Sequence, residues 1–143
     1  MFESHKSIAI FTVFGLIVTL AITALGTAHQ LQKYLARKAV KQQQEVWNTN
    51  KPKSYAYTVR GGCMFLSNNR VTVINGHTPL SKNTVTIDTL FHWAKRASYQ
   101  AERAHIQYHP QFAFVMHLDL DWDKQTYDDE CQYEVVDFVD LSE

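Results

Sequence analysis

The stretch AHIQYHPQFAFVMHLDL, residues 104–120, decides the fold class of this 143-residue chain. Its two arms, residues 104–109 and 112–120, are rich in aromatic and aliphatic residues, and Pro110 and Gln111 separate them. Runs of this kind, interrupted by a turn residue, are typical of consecutive β-strands. We therefore predict two strands here, joined at Pro110-Gln111.

Three further segments have strand signals. In SYAYTVRG (54–61), large side chains fall at every second position and β-formers are frequent, which predicts a strand. The pair Gly61-Gly62 ends this strand. RVTVING (70–76) ends in Asn75-Gly76, a dipeptide that favours a tight turn. QYEVVDFVDL (132–141) has the composition of a last strand.

One helix is predicted between these strands, over residues 86–101. Thr86 is a suitable N-cap, and Asp88 in the first turn suits the positive end of the helix dipole. His92 falls on the polar face. The opposite, buried stripe has helical spacing and consists of Ile87, Leu90, Phe91, Ala94 and Ala97.

The N-terminal segment SIAIFTVFGLIVTLAITALGTA, residues 7–28, is apolar and carries no charge. Its 22 residues are enough to cross a hydrocarbon core as a helix. A cleaved signal peptide is the alternative, with Gly26 and Ala28 as cleavage-site residues, but the apolar run is longer than a signal core usually is. We expect a retained transmembrane helix.

The resulting prediction is an α+β fold in which an N-terminal transmembrane helix precedes a small antiparallel sheet with helices on one face. Residues 1–6 form a tail, 7–28 the span, 29–50 an amphipathic connecting helix and 51–143 the α+β domain. Pro52 ends the connecting helix, because the residue before a proline avoids helical geometry.

Charge is balanced overall but unevenly distributed. Residues 29–117 hold 12 Lys and Arg against 3 Asp and Glu, whereas residues 118–143 hold 10 acids against Lys124. The two halves either neutralise each other within the fold or present opposite faces to partners. A net charge of zero gives no global field to attract nucleic acid, so no nucleic-acid partner is expected.

An acidic stretch, DLDWDKQTYDDE (119–130), raises the question of a calcium loop. Its acids at loop positions 1, 3, 5 and 12 are Asp119, Asp121, Asp123 and Glu130. An EF-hand loop needs glycine at position 6 and helices on both sides, but position 6 is Lys124 and the flanks read as strands. We interpret the stretch as an acidic turn, with calcium binding as the alternative and no metal site expected.

Three histidines are a weaker metal candidate. His105 and His117 come close if strands 104–109 and 112–120 pair, and His105 and His109 share a face. No histidine spacing typical of a metal motif supports such a site, so structural roles are expected. The chain also has no nucleophile elbow, P-loop or dinucleotide fingerprint. We therefore expect no catalytic residue, no cofactor, no small-molecule substrate and no enzyme activity.

Spaced motifs over residues 45–139 give the chain a resemblance. They are Trp47, SYAYTV (54–59), Cys63, VTVINGH (71–77), TIDTLF (86–91), IQYHPQFAF (106–114) and DDECQYEVVDF (128–138). In these motifs the chain resembles a bacterial domain-of-unknown-function family of small exported proteins and lipoproteins. That family's turn usually reads Tyr-Asp-Pro-x-Tyr-Gly-Tyr-Pro, whereas this chain reads YHPQFAFV (108–115), with His109, Ala113 and Val115 as departures.

The resemblance implies export, and with it a disulfide between Cys63 and Cys131, the chain's two cysteines. In the cytoplasm the two would be ordinary buried thiols. Basic residues after the apolar segment, from Lys33 to Lys41, favour a cytoplasmic domain instead. Weighing the two signals, we expect a single-pass protein of the bacterial inner membrane with its domain in the periplasm.

The family has no activity to transfer, so function is inferred from architecture. Small residues in the apolar segment, such as Gly15 and Gly26, allow close helix contact. We expect a non-catalytic accessory or interaction subunit of a larger inner-membrane complex, with membrane lipid and membrane proteins as partners. The alternatives are a tethered periplasmic binding or immunity-type protein and, less favoured, a calcium sensor.

Overall fold

A computed structural model describes residues 2–79, 83–123, 125–126 and 130–142, with the side chains of residues 2–13, 15 and 29 outside the described part. The chain divides into two compact units, residues 1–35 and 36–143. The elements, in chain order, are α1 Phe2–Asn50, β1 Tyr55–Gly62, β2 Ser67–Val73, α2 Ile87–Gln100, β3 Arg103–Tyr108, β4 Val115–Asp121 and β5 Cys131–Asp140.

The five strands form one antiparallel sheet in the order β2-β1-β5-β4-β3. The α+β prediction with an antiparallel sheet is therefore confirmed. The last strand of the chain, β5, lies in the centre, between β1 and β4. From Gln132 to Glu134, β5 pairs with β1 on one side and with β4 on the other.

Both helices cover the same face of the sheet. The Trp47 ring of α1 packs edge-on against Tyr55, with centroids 5.4 Å apart. At the start of α2, the Ile87 backbone N–H donates to the Tyr57 hydroxyl at 3.2 Å. Tyr55 and Tyr57 project to one side of β1, because alternate residues of a strand share a face. The core therefore lies between this face and the two helices.

The sequence prediction for α2 is confirmed in detail. The Thr86 hydroxyl accepts from the Thr89 N–H at 3.2 Å, and the Thr89 hydroxyl accepts from the Thr86 N–H at 3.3 Å, which closes a capping box. His92 is exposed. The predicted stripe is buried, and it consists of Ile87, Leu90, Phe91, Ala94 and Ala97.

A bulge in β5 changes which of its residues face the core. Ala56 pairs with Val139 and Thr58 with Val136, so Asp137 and Phe138 together oppose Tyr57. Asp137 takes up the extra residue with a φ of 54°. The side-chain alternation restarts after it, and Phe138 turns toward the helices, with its ring 6.2 Å from that of Trp47.

The prediction of a transmembrane helix is wrong. In the part of the chain that the structure describes, no helix is both long enough and apolar enough to cross a membrane.

The two segments predicted over residues 7–28 and 29–50 form one uninterrupted helix, α1, which ends before Lys51-Pro52 as predicted. The apolar side chains of the segment predicted to be amphipathic, residues 29–50, are only partly buried. Val40 and Trp47 are each 1% exposed, whereas Leu31 and Tyr34, in the first compact unit, are more than half exposed. Within the second unit, Val40 and Trp47 belong to the hydrophobic core.

Candidate functional site

The candidate site surrounds a disulfide at one end of the sheet. Gly62 pairs with Gln132 across β1 and β5, so Cys63 and Cys131 come next to each other, and the structure joins them in a disulfide. Cys131 is buried and Cys63 is exposed. Both cysteines of the chain are therefore in the bond, and neither is available as a nucleophile.

The loop after Cys63 exposes three consecutive large apolar side chains. Met64, Phe65 and Leu66 are 67%, 83% and 87% exposed. The loop turns tightly at Gly62, where a side chain would collide with the Phe65 carbonyl oxygen. At its far end, the Ser67 hydroxyl donates to the Gly61 carbonyl at 3.0 Å. We call residues 64–66 the apolar loop.

Beside the apolar loop lies a cleft of about 670 Å³, which we call the loop cleft. Its charged lining comes from Arg103 at the start of β3, Asp119 on β4 and Glu130 just before β5. Arg103 belongs to the basic part of the sequence, and the two acids belong to its acidic part. The two oppositely charged parts therefore meet in this cleft, next to exposed apolar groups.

A second cleft, of about 410 Å³, lies on the helix side of the disulfide. We call it the aromatic cleft. The Trp93 and Tyr133 rings are 4.7 Å apart, and the Arg96 guanidinium lies 4.9 Å from the centre of the Trp122 ring. The described residues that line it are Cys63, Trp93, Arg96, Leu120, Trp122, Cys131 and Tyr133.

Tyr133 connects the aromatic cleft to the disulfide. Its hydroxyl oxygen lies 3.6 Å from the Cys63 sulfur. Burial raises the pKa of the Tyr133 phenol above its usual value, because the anionic form loses hydration. The phenol is therefore protonated at neutral pH, and it offers an O–H donor at the wall of the cleft.

The four acids of the calcium alternative do not form a metal centre with the residues described here. Asp119 and Asp121 lie on β4, where their side chains alternate with buried Leu118 and Leu120. The Asp123 carboxylate accepts from the Gln125 N–H at 3.0 Å, as expected in an acidic turn. Among the described residues, no group of three or more His, Cys, Asp and Glu could hold a metal ion. Lys124 and residues 127–129 lie outside the described part.

The structure brings together two of the three candidate histidines. The rings of His105 and His117 are 6.3 Å apart, across β3 and β4. His109 lies elsewhere, since β3 ends at Tyr108, and its ring stacks on Phe114 at 4.6 Å.

His109 organises the turn between β3 and β4. Its Nδ1 accepts from the backbone N–H groups of Gln111 at 3.3 Å and Phe112 at 3.2 Å. An aspartate, the residue usual at this position in the resembling family, can accept the same bonds. Ala113 has a φ of 62°, a conformation that favours the glycine usual there. Of the three departures in the sequence, those at His109 and Ala113 are thus compatible with the turn.

Sequence reasoning missed the two clefts. It gave no role to Arg96, Trp122 or Tyr133, which the fold brings together from α2, the segment after β4 and β5. A signal for the apolar loop was present, because the run CMFL (63–66) is apolar in a segment between two strands. Loops are usually polar, so such a run is itself informative.

Comparison with known proteins gives one match. No curated protein and no solved structure matches this chain. A family described as "Family of unknown function (DUF6174)" matches residues 39–140, which is more than half of the chain and includes both clefts and the disulfide. The chain therefore belongs to the Family of unknown function (DUF6174).

Proposed function

We propose that this protein is a non-catalytic protein-binding domain whose main contact is the apolar loop. The observation that carries this proposal is the exposure of Met64, Phe65 and Leu66, each two thirds or more accessible to water. Folded proteins commonly expose single apolar side chains, but contiguous large ones mark interaction sites. A partner that covers the loop gains roughly 25 cal/mol for each Å² of apolar surface removed from water.

The construction of the loop supports the same conclusion. The disulfide at Cys63 and the tight turn at Gly62 hold one end, and the Ser67–Gly61 hydrogen bond holds the other. A loop held in one conformation loses less entropy on binding than a free one. The neighbouring charges of the loop cleft form a polar rim that would select among partners.

A binding role agrees with the state of the cysteines. The two cysteines are bonded to each other in the disulfide, so neither offers a free thiol that could act as a nucleophile. We infer that the protein is bacterial and exported, and that it works in an oxidising compartment. The disulfide supports this inference, because such bonds persist outside the cytoplasm. Alkylation of freshly extracted protein should modify both cysteines only after reduction, and two free thiols would contradict export.

The binding proposal is tested by photo-crosslinking in the native cell. A photoreactive residue is placed at Phe65 or, as the matched control, at Ile74, which is also apolar and 51% exposed but lies outside both clefts. A discrete crosslinked protein at position 65 alone is expected. Calorimetry with that purified partner should show binding about tenfold weaker for Phe65→Ser than for Ile74→Ser. Equal crosslinking at both positions, or equal affinities, would overturn the proposal.

A further inference from the structure

We propose that the aromatic cleft is a separate binding site for a small aromatic anion, whose ring packs against Trp93 and Tyr133 and whose carboxylate binds Arg96. This inference does not rest on the protein-binding role of the apolar loop. The cleft volume of about 410 Å³ is sufficient for a small organic ligand. The described residues of its lining combine an apolar wall with one charged side chain, which is the usual composition of such a site.

The apolar wall is built for a flat ring. Trp93 and Tyr133 are 4.7 Å apart with their planes tilted by 42°, and Leu120, at 1% exposure, lies in the lining below the surface. Trp93 and Trp122 are only partly buried, so both indoles keep accessible surface. Aromatic groups favour offset or tilted contact with other rings. A planar ligand can therefore bury ring surface here without displacing the core.

The charge in the cleft selects an anion. Among the residues that the structure describes, Arg96 is the one charged residue in its lining. Its guanidinium is positioned by two contacts, since it lies over the Trp122 ring and its Nε donates to the Gln100 side chain at 2.7 Å. The two terminal amino groups of a guanidinium carry four more N–H donors in a geometry that fits a carboxylate. Because Arg96 is already held, little side-chain entropy is lost when a ligand binds.

Tyr133 adds a neutral donor. Its protonated hydroxyl, 3.6 Å from the Cys63 sulfur, can donate to an oxygen of the ligand. A bound cation would instead meet Arg96, which repels it. The aromatic surfaces alone would accept either sign of charge, so Arg96 decides between them.

The test uses the full-length protein and three probes of similar shape, 2-naphthoate, 2-naphthalenemethanol and 2-naphthylmethylammonium. Calorimetry at neutral pH should show naphthoate binding most tightly. Arg96→Gln should weaken naphthoate binding about tenfold or more, since a hydrogen bond to a charged group is lost. The matched control is Arg37→Gln, because Arg37 also lies over an aromatic ring, at 4.7 Å from the centre of Tyr99, but outside the cleft. The affinity of the Arg37→Gln variant for naphthoate should stay within about twofold of that of the wild type.

The three tryptophans provide an independent readout of where the probe binds. Indole N–H resonances of Trp93 and Trp122 should shift on addition of naphthoate, and that of Trp47, buried in the core, should not. Assignment uses Trp93→Phe and Trp122→Phe. The inference is overturned if naphthoate fails to bind at millimolar concentration, if Arg96→Gln and Arg37→Gln have equal effects, if the ammonium probe binds as tightly, or if neither cleft indole shifts.

Discussion

Gly62 and Gln132 are register partners across β1 and β5, and this pairing places Cys63 beside Cys131, although 68 residues separate the two cysteines in the chain. The disulfide therefore connects the end of one central strand to the start of its neighbour. It also forms a wall shared by the loop cleft and the aromatic cleft.

Removal of this disulfide should lower stability. We expect the double variant Cys63→Ser/Cys131→Ser to lose about 2–5 kcal/mol in the free energy of unfolding, because the unfolded chain is no longer constrained. Urea unfolding followed by circular dichroism measures the difference. Reductant should destabilise the wild type and leave the double variant unchanged. Equal midpoints for the two proteins would contradict a stabilising bond.

Trp47 should be the main attachment of α1 to the sheet. Its side chain is 1% exposed, and its ring contacts Tyr55, Phe114 and Phe138. We expect Trp47→Ala to destabilise the domain by about 3–5 kcal/mol through lost burial and a residual cavity. Tyr99→Ala, at a ring that is 54% exposed, is the control and should cost less than about 1 kcal/mol. Comparable losses in thermal unfolding would argue against this role.

A β-branched residue at position 137, in the bulge of β5, should destabilise the protein. The φ of 54° at Asp137 is unfavourable for such residues, and the Asp137 side chain is exposed, so packing does not complicate the comparison. Asp137→Val should cost about 1–2 kcal/mol, whereas Asp137→Gly should be neutral or stabilising. Glu134→Val, on the same strand with an ordinary backbone, is the control and should have little effect. A stable Asp137→Val variant would show that the bulge is not required.

His109 should make stability depend on pH. Burial lowers the pKa of its imidazole, so the folded protein favours the neutral ring that accepts the Gln111 and Phe112 N–H bonds. The unfolded state then binds more protons, and this contribution to stability is complete above pH about 6.5 and is lost as the pH falls through the lowered, folded-state pKa.

The variant His109→Asn isolates that contribution. The asparagine side-chain oxygen can accept the same backbone bonds but does not titrate. The urea midpoint of unfolding is measured at pH values above and below about 6.5, the usual pKa of histidine. As the pH decreases, this midpoint should fall more steeply for the wild type than for the variant. Parallel curves for the two proteins would exclude His109 as the source.

Local physics explains which features the sequence predicted correctly. The N-cap at Thr86, the buried stripe of α2 and the end of α1 before Pro52 each depend on residues within a few positions of one another. The formation of a strand also depends mainly on neighbouring residues. Accordingly, α2, β3 and β5 begin within one residue of their predicted starts. The order of the strands in the sheet does not depend on neighbouring residues alone, since no spacing along the chain indicates that β5 lies between β1 and β4.

The order of residues along the chain is enough to predict the α+β class and most of the helices and strands, because hydrophobic periodicity and turn chemistry act over short distances. The remaining features depend on how distant segments pack. The β1–β5 register joined Cys63 to Cys131, and the Asp137 bulge turned Phe138 inward. The aromatic cleft forms where side chains from three parts of the chain meet in space. The exposure of the apolar loop also depends on the fold, because it is set by what packs against the loop. The prediction of a transmembrane helix was wrong, since no helix in the described part of the chain is both long enough and apolar enough to cross a membrane.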